Sequence, residues 1–133
     1  MRHQVDIPVP AKIQEHHLQC AVVQRLRRMG VDVASDQNAA KRHPVLALKL
    51  RAAGMVAGEP DLRIYMPGGR AGFIEMKLGR ARPSPAQVER IEKLRSLGYP
   101  VAVINASTME DAADQAEAIV REWLGASGQA DKV

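Results

Sequence analysis

Two short apolar segments joined by a Pro-Gly-Gly turn constrain the fold of this chain more than any other stretch. Residues 58–66 and 71–77 have the length and composition of β-strands. Between them, Pro67-Gly68-Gly69 is typical of a tight reversal of the chain. The sequence therefore predicts an antiparallel hairpin.

The register of this hairpin brings three charged side chains together. An antiparallel return places Asp61, at the start of the first strand, level with Glu75 and Lys77 at the end of the second. Side chains alternate across a strand, so Glu75 and Lys77 share one face. The predicted result is a carboxylate pair with an adjacent lysine.

This trio suits hydrolysis of phosphodiesters assisted by Mg²⁺ or Mn²⁺, because hard divalent cations prefer oxygen ligands. The carboxylates of Asp61 and Glu75, with the backbone carbonyl of Met76, are the predicted ligands. The pattern P-D-x13-E-x-K is nevertheless short, and chance would produce a similar one in roughly one chain in twenty. The alternative interpretation is a surface hairpin with an ordinary Glu/Lys pair.

Length and composition predict a single soluble domain. The 133 residues are enough to bury a core, and the 46% hydrophobic and 26% charged residues are ordinary for a globular protein. No apolar run approaches a membrane span and the first residues lack a signal-peptide core, so we expect a cytoplasmic protein without membrane association. Nothing indicates a nucleotide cofactor. The low aromatic content of 3% argues against a single-strand binder that relies on base stacking.

The positive charge is concentrated in the part of the chain that contains the hairpin. Residues 1–106 have 17 Lys and Arg against 9 Asp and Glu, whereas residues 107–133 have 2 against 6. A group of carboxylates surrounded by positively charged residues suits a polyanionic substrate such as DNA. The alternative interpretation is an ordinary solvated surface rich in Lys and Arg. The candidate phosphate contacts are Lys41, Arg42, Lys49, Arg51, Arg80 and Arg82.

The first predicted helix spans 12–29 and has an acidic residue, Glu15, in its first turn. Glu15 lies three residues before Leu18, a member of the apolar stripe, so we expect it on the buried side. One interpretation is a first-turn Glu favoured by the helix dipole. The other is a third carboxylate of the metal site, delivered from the helix.

The remaining predicted elements surround the hairpin. A strand is expected at 31–35, a short helix at 44–53, a strand at 99–104 and a last helix from Ser107 to Leu124, with a tail at 125–133. The helix after the hairpin begins with Ser84 as N-cap and Gln87 as its capping-box partner, and we expect its buried stripe to comprise Val88, Ile91, Leu94 and Leu97. The order α-β-α-β-β-α-β-α predicts an α/β fold, a mixed β-sheet flanked by α-helices.

In its ordered set of motifs, the sequence resembles the virus-type replication-repair nuclease (VRR-NUC) family of the PD-(D/E)XK superfamily, which has the restriction-endonuclease-like fold. The match covers about Glu15 to Leu124. The residues that carry it are Glu15 and Gln19, Gln37-Asn38 with Lys41-Arg42, Gly58-x-Pro60-Asp61-Leu62, Phe73-Ile74-Glu75-Met76-Lys77, Ser84-x-x-Gln87 and Leu97-Gly98-Tyr99. One departure is Glu59, where the family more often has a small or apolar residue.

The resemblance implies roles for individual residues. Asp61 and Glu75 would be metal ligands and Lys77 the catalytic lysine, with Glu15 and Gln87 as supporting residues of the catalytic site. Residues 1–124 would form one nuclease domain. The chain resembles the stand-alone phage and bacterial members, which are similar to Holliday-junction resolvases and act as homodimers.

Three hypotheses follow. The first is a metal-dependent endonuclease for branched or structured DNA, and the second is a DNA-binding protein that keeps the fold but does not cut. The third is a basic α/β interaction domain. For a homodimer, the sequence offers apolar residues on and after the short helix, unless the domain itself encloses that helix: Val45, Leu46, Leu48, Leu50 and Met55-Val56.

Overall fold

The computed structural model describes residues 12–35 and 44–130. Within these ranges, four helices and four strands follow one another in the predicted order. The elements are α1 (Glu15–Arg28), β1 (Asp32–Ser35), α2 (Pro44–Ala52), β2 (Leu62–Met66), β3 (Arg70–Leu78), α3 (Pro85–Ser96), β4 (Val101–Ala106) and α4 (Met109–Ala130). The fold is therefore the expected α/β arrangement.

The strands form one mixed sheet in the order β1-β2-β3-β4. Both β1–β2 and β2–β3 are antiparallel, and the β2–β3 hairpin pairs Leu62 with Ile74. β4 runs parallel to β3, because the chain crosses over through α3 before it returns to the sheet. The hairpin thus lies in the middle of the sheet and is held on both sides.

Alternation along β3 divides the interior into two layers. Ile74 and Met76 face the main core, which α1 and α4 cover and to which Leu18, Leu26 and Val120 also belong. On the opposite face, Phe73 packs with a smaller apolar group from α3 and β4: Ile91, Leu94 and Val101. Glu75 points to the same side of β3 as Phe73, so this smaller layer adjoins the predicted site.

A close packing contact joins α4 to the start of β3. A Cβ atom at Gly72 would lie 2.5 Å from a ring carbon of Trp123, a separation too short for real Cβ contacts. The Arg70 guanidinium also donates a hydrogen bond to the backbone carbonyl of Trp123 at 3.3 Å. Because Gly72 has no side chain, the indole of Trp123 can pack directly against the sheet.

The predicted buried stripe of α3 is partly wrong. Ile91 and Leu94 are buried, but Val88 is 42% exposed and Leu97 is 59% exposed. Gln87 is buried instead. The helix is rotated so that the side chain of Gln87 faces the site, and the buried stripe then has the spacing i, i+4, i+7.

Two further observations concern the length of α4, which differs from expectation, and the surroundings of α2, which the sequence left open. α4 continues to Ala130, through much of the stretch that we expected to be a tail from residue 125. For α2, no other helix or strand within 12–35 and 44–130 makes an extensive packing contact, and Val45 and Leu48 are exposed. The described part of the domain does not enclose this helix. None of the helices in the described ranges combines the length and apolar character needed to cross a bilayer.

Candidate active site

The hairpin register places Asp61 beside the end of β3, as predicted. Because Leu62 pairs with Ile74, Asp61 lies next to Glu75 at the mouth of the hairpin. One carboxylate oxygen of Asp61, Oδ2, accepts a hydrogen bond from the backbone N–H of Met76 at 2.8 Å. This bond fixes the Asp61 side chain against the strand that carries the second carboxylate.

Glu75 is the buried centre of the site, with 1% of its side chain exposed. Its Oε2 atom accepts a hydrogen bond from the Gln87 amide at 3.2 Å and lies 3.7 Å from the Lys77 ammonium. Its Oε1 atom is buried and has no hydrogen-bond partner among the described residues. A buried carboxylate oxygen without a partner is costly, which makes Oε1 a position suited to a cation.

Without a bound cation, the surroundings of Glu75 favour a proton on its carboxyl group. Burial, followed by the closeness and negative charge of the neighbouring Asp61 carboxylate, raises the pKa of Glu75 to about 8. Lys77 opposes this shift, and Glu15 adds a smaller repulsive contribution. Two carboxylates so close together cannot both ionise easily without a positive partner.

Glu15 approaches this centre from the first turn of α1, and its location corrects one expectation. It is exposed and does not lie on the buried stripe, because it is the first helical residue and lies beyond the covered part of the helix. Its charge nevertheless influences Glu75. In the described ranges, no group of three His, Cys, Asp or Glu side chains is arranged to hold a metal, so coordination by Glu15 stays a prediction.

The Gln87 side chain contacts both Ser84, as the capping box predicts, and Glu75. Its side-chain oxygen accepts a hydrogen bond from the backbone N–H of Ser84 at 2.8 Å, and its own N–H donates to the Ser84 hydroxyl at 3.2 Å. The side-chain amide nitrogen is then free to donate to Glu75. The capping box therefore orients the amide toward the site.

The donor set fits a hard divalent cation. Asp61 and Glu75 supply carboxylate oxygens, and the Met76 carbonyl belongs to the strand segment between Glu75 and Lys77. The unpartnered buried Oε1 atom of Glu75 is the specific observation that such an ion would explain. These three groups would hold the ion, and solvent would complete its coordination.

Those predicted phosphate contacts that the structure describes lie in two exposed places. Lys49 and Arg51 are on α2, and Arg80 and Arg82 are on the loop that follows β3. Lys41 and Arg42 lie outside the described residues. The loop that carries Arg80 and Arg82 begins immediately after the site strand, which makes it the better supported of the two places.

Sequence reasoning missed two residues that fix the surroundings of the site. Asn105 donates hydrogen bonds to the carbonyls of Gly79 and Ala81 at 3.0 and 2.8 Å, and so anchors the loop that carries Arg80 and Arg82. Arg90 pairs with Glu59, and the two side chains are 2.8 Å apart. The departure at Glu59 is visible in the sequence, but its partner 31 residues later is not.

Comparison with known proteins decides the family. The model of the VRR-NUC domain matches residues 2–108. The chain belongs to the VRR-NUC family. VRR-NUC proteins are nucleases by family, and the ordered motifs from Glu15 to Gln87 lie within the matched range.

Solved structures agree with this VRR-NUC assignment at the level of the fold. A VRR-NUC domain protein is 22% identical with a TM-score of 0.66, and the alignment covers 87% of this chain and 92% of the other. A VRR-NUC domain is also 22% identical with a TM-score of 0.56, covering 80% of this chain and 94% of the other. No curated protein matches the chain.

Proposed function

We propose that this VRR-NUC protein is a divalent-metal-dependent endodeoxyribonuclease that cuts branched or structured DNA. The observation that carries the proposal is the carboxylate of Glu75, which is buried beside Asp61 with one oxygen unpartnered within the described part of the chain. Burying a carboxylate with an unpartnered oxygen costs free energy of folding, and a domain with only a structural role gains nothing from it. It is an ordinary feature of a site that holds Mg²⁺ or Mn²⁺.

The proposed chemistry assigns a role to each residue around this carboxylate. A cation held by Asp61, Glu75 and the Met76 carbonyl would supply polarisation of the scissile phosphate and a lowered pKa for water. Lys77, with 11% of its side chain exposed, is close enough to this centre to orient the attacking water and offset charge on the phosphate. Gln87 fixes the orientation of Glu75, and Glu15 contributes negative charge from α1.

The basic surface supports DNA as the substrate. Arg80 and Arg82 extend into solvent three and five residues after Lys77, where they can bind phosphates that flank the scissile bond. Resemblance to stand-alone VRR-NUC members extends the proposal to four-way junctions and to a homodimer. A two-fold pair repeats one metal site at a fixed separation, as two cuts on opposed strands require.

The decisive experiment measures cleavage of a panel of duplex, flap, fork and four-way-junction DNAs with Mg²⁺ or Mn²⁺. Asp61→Asn and Glu75→Gln each preserve shape but remove a ligand charge. We expect both to lower cleavage more than roughly 100-fold, because loss of an outer-shell partner alone costs about 10–100-fold. Glu122→Gln, on the exposed side of α4, is the matched control and should cleave like the wild type.

Other outcomes would point to other functions. Wild-type protein that binds the junction but cuts none of the DNAs with either metal would support the non-cleaving DNA-binding alternative. Wild-type protein that neither binds DNA nor takes up Mn²⁺ in calorimetry would support a basic interaction domain. Full activity of Glu75→Gln would contradict the assignment of the site itself.

A further inference from the structure

The segment that leads into Asp61 is fastened to α3 by an ion pair. Glu59 Oε1 lies 2.8 Å from Arg90 Nε, and the two side chains are 20% and 23% exposed respectively. Ion pairs on open surfaces contribute little, but partial burial reduces screening by solvent and makes a pair more sensitive to the loss of one partner. Glu59 therefore differs from a solvated surface acid.

Backbone packing beside this pair holds the same segment against the same helix. Gly58 has φ +79° and its backbone lies directly over the first turn of α3, so that an added Cβ would overlap the Ala86 carbonyl and lie 2.8 Å from the Gln87 nitrogen. Pro60 is fully buried. Three consecutive residues thus fix the path of the chain immediately before Asp61.

The two partners of the pair belong to the two halves of the candidate metal site. Glu59 is two residues before Asp61, which bonds to the Met76 N–H. Arg90 is three residues after Gln87, which bonds to Glu75. Helical residues three apart lie on neighbouring positions of one face, so Arg90 and Gln87 both point toward the segment before β2.

The ion pair between Glu59 and Arg90 opposes an electrostatic repulsion within the site. The carboxylates of Asp61 and Glu75 are neighbours across the hairpin and repel each other when both are ionised, which favours their separation. A tie between the Asp61 segment and α3 opposes separation. It keeps both ligands near the positions that a cation needs.

We infer that Glu59 and Arg90 form a positioning pair, which holds Asp61 at coordinating distance from Glu75 and thereby sets the affinity for the divalent cation. The inference rests on the proposed metal-dependent function. Neither side chain touches the metal or the substrate in this assignment. The carboxylate of Glu59 is occupied by Arg90 and acts through Asp61.

Calorimetric titration of the full chain with Mn²⁺ tests the pair. Glu59→Gln and Arg90→Gln should each weaken Mn²⁺ binding by roughly tenfold, the usual effect of losing an outer-shell partner. Cleavage should then recover toward the wild-type kcat at saturating Mn²⁺, while the KM for DNA stays unchanged. A pair that served stability alone would lower the melting temperature and leave the affinity of the folded protein for Mn²⁺ unchanged.

Further variants keep the test independent of folding defects. Arg90→Lys retains the charge and should retain most of the affinity, and the exchange of charges in Glu59→Arg with Arg90→Glu should restore the affinity that either single variant lacks. Glu117→Gln is the control, because it removes a carboxylate that pairs with Arg25 of α1 and with Arg121 within α4, away from the site. It should bind Mn²⁺ as the wild type does.

The outcomes separate failure of the pair from failure of the proposed function. Wild-type protein that takes up no Mn²⁺ would refute the metal-dependent function and the inference together. Tight binding by the wild type and equally tight binding by Glu59→Gln and Arg90→Gln would refute the positioning pair alone. Weakened binding in both single variants with no rescue by the exchange would also overturn it.

Discussion

Glu75 should make the stability of the metal-free protein depend on pH. Its pKa is raised from 4.5 to about 8 in the folded state, chiefly by burial. Between these values the folded protein keeps a proton that the unfolded chain has released, so the free energy of unfolding falls as pH rises. We expect the wild type in EDTA to lose a few kcal/mol of stability between pH 5 and pH 8.5, measured by urea denaturation.

Glu75→Gln supplies the control for this pH dependence. The amide cannot ionise, so the fall in stability across the same interval should be much smaller in the variant. Parallel curves for wild type and variant would show that another group is responsible. Saturating Mn²⁺ should also abolish the dependence in the wild type, since the cation replaces the proton.

Lys77 belongs to the chemical step in the proposed mechanism. Lys77→Met removes the charge and keeps most of the side-chain length. It should lower kcat by about tenfold or more with little change in the Kd for junction DNA, measured in EDTA. Arg82→Ala should instead raise the Kd for DNA with little change in kcat. Loss of a phosphate contact should also flatten the salt dependence of binding. A fall in DNA affinity alone in Lys77→Met would make this residue a phosphate anchor.

The site residues are predictable from sequence where local spacing determines geometry. Strand alternation and the hairpin return place Asp61 and Glu75 together, and the capping box locates Gln87. Sequence spacing does not determine the rotation of α3. Ile91 and Leu94 fit a buried stripe that starts at Val88 as well as one that starts at Gln87, and an amide pointing at a buried carboxylate selects the second.

At the scale of elements, the contact between the segment before β2 and α3 leaves no room for a side chain at Gly58. Gly58→Ala adds a Cβ that overlaps Ala86 and forces a side chain into positive φ. Gly68→Ala, in the hairpin turn at φ +80°, imposes the same backbone cost, but a Cβ there meets no atom within 4 Å in the described structure. The two variants differ mainly in packing.

We expect Gly68→Ala to lower the free energy of unfolding by roughly 1–2 kcal/mol, the cost of the left-handed conformation. Gly58→Ala should destabilise the protein more than that and should also weaken Mn²⁺ binding, because the overlap displaces the chain before Asp61. Thermal melts and metal titration of both variants would measure this. Equal losses of stability with unchanged Mn²⁺ affinity would mean that the contact with α3 does not position the site.

The order of elements follows from the sequence, whereas their packing environment does not. Apolar periodicity and turn residues locate all the described helices and strands, with the ends of several displaced by a few residues. The same periodicity leaves two environments open for α2. Its apolar residues look alike whether the domain encloses them or leaves them exposed, and that choice depends on tertiary contacts rather than on the pattern.

At the scale of the whole molecule, α2 is the candidate surface for a dimer. Val45 is 55% exposed and Leu48 is 68% exposed, and Val56 just beyond the helix is 42% exposed. Grouped apolar residues of this kind are typical of surfaces that bind a partner. We expect light scattering at micromolar concentration to give about twice the 14.5 kDa mass of the chain.

Leu48→Lys should shift this assembly toward the monomer and reduce cleavage of four-way junctions. Leu97→Lys, at an exposed leucine near the end of α3, adds the same charge elsewhere and should leave the mass unchanged. A wild-type mass near that of one chain, unchanged by junction DNA, would refute the dimer and the paired cut. A mass that falls equally in both variants would assign no special role to α2.

Because Trp123 packs against Gly72, its fluorescence reports on the contact between α4 and the sheet. Trp123 is the only tryptophan in the sequence, and it rests on the sheet face opposite the one that carries Glu75. Its emission should therefore follow the release of α4 from the sheet and respond weakly to events at the carboxylates. Trp123 fluorescence can therefore record unfolding during a metal titration, because it reports on one face of the sheet while the metal would bind at the other.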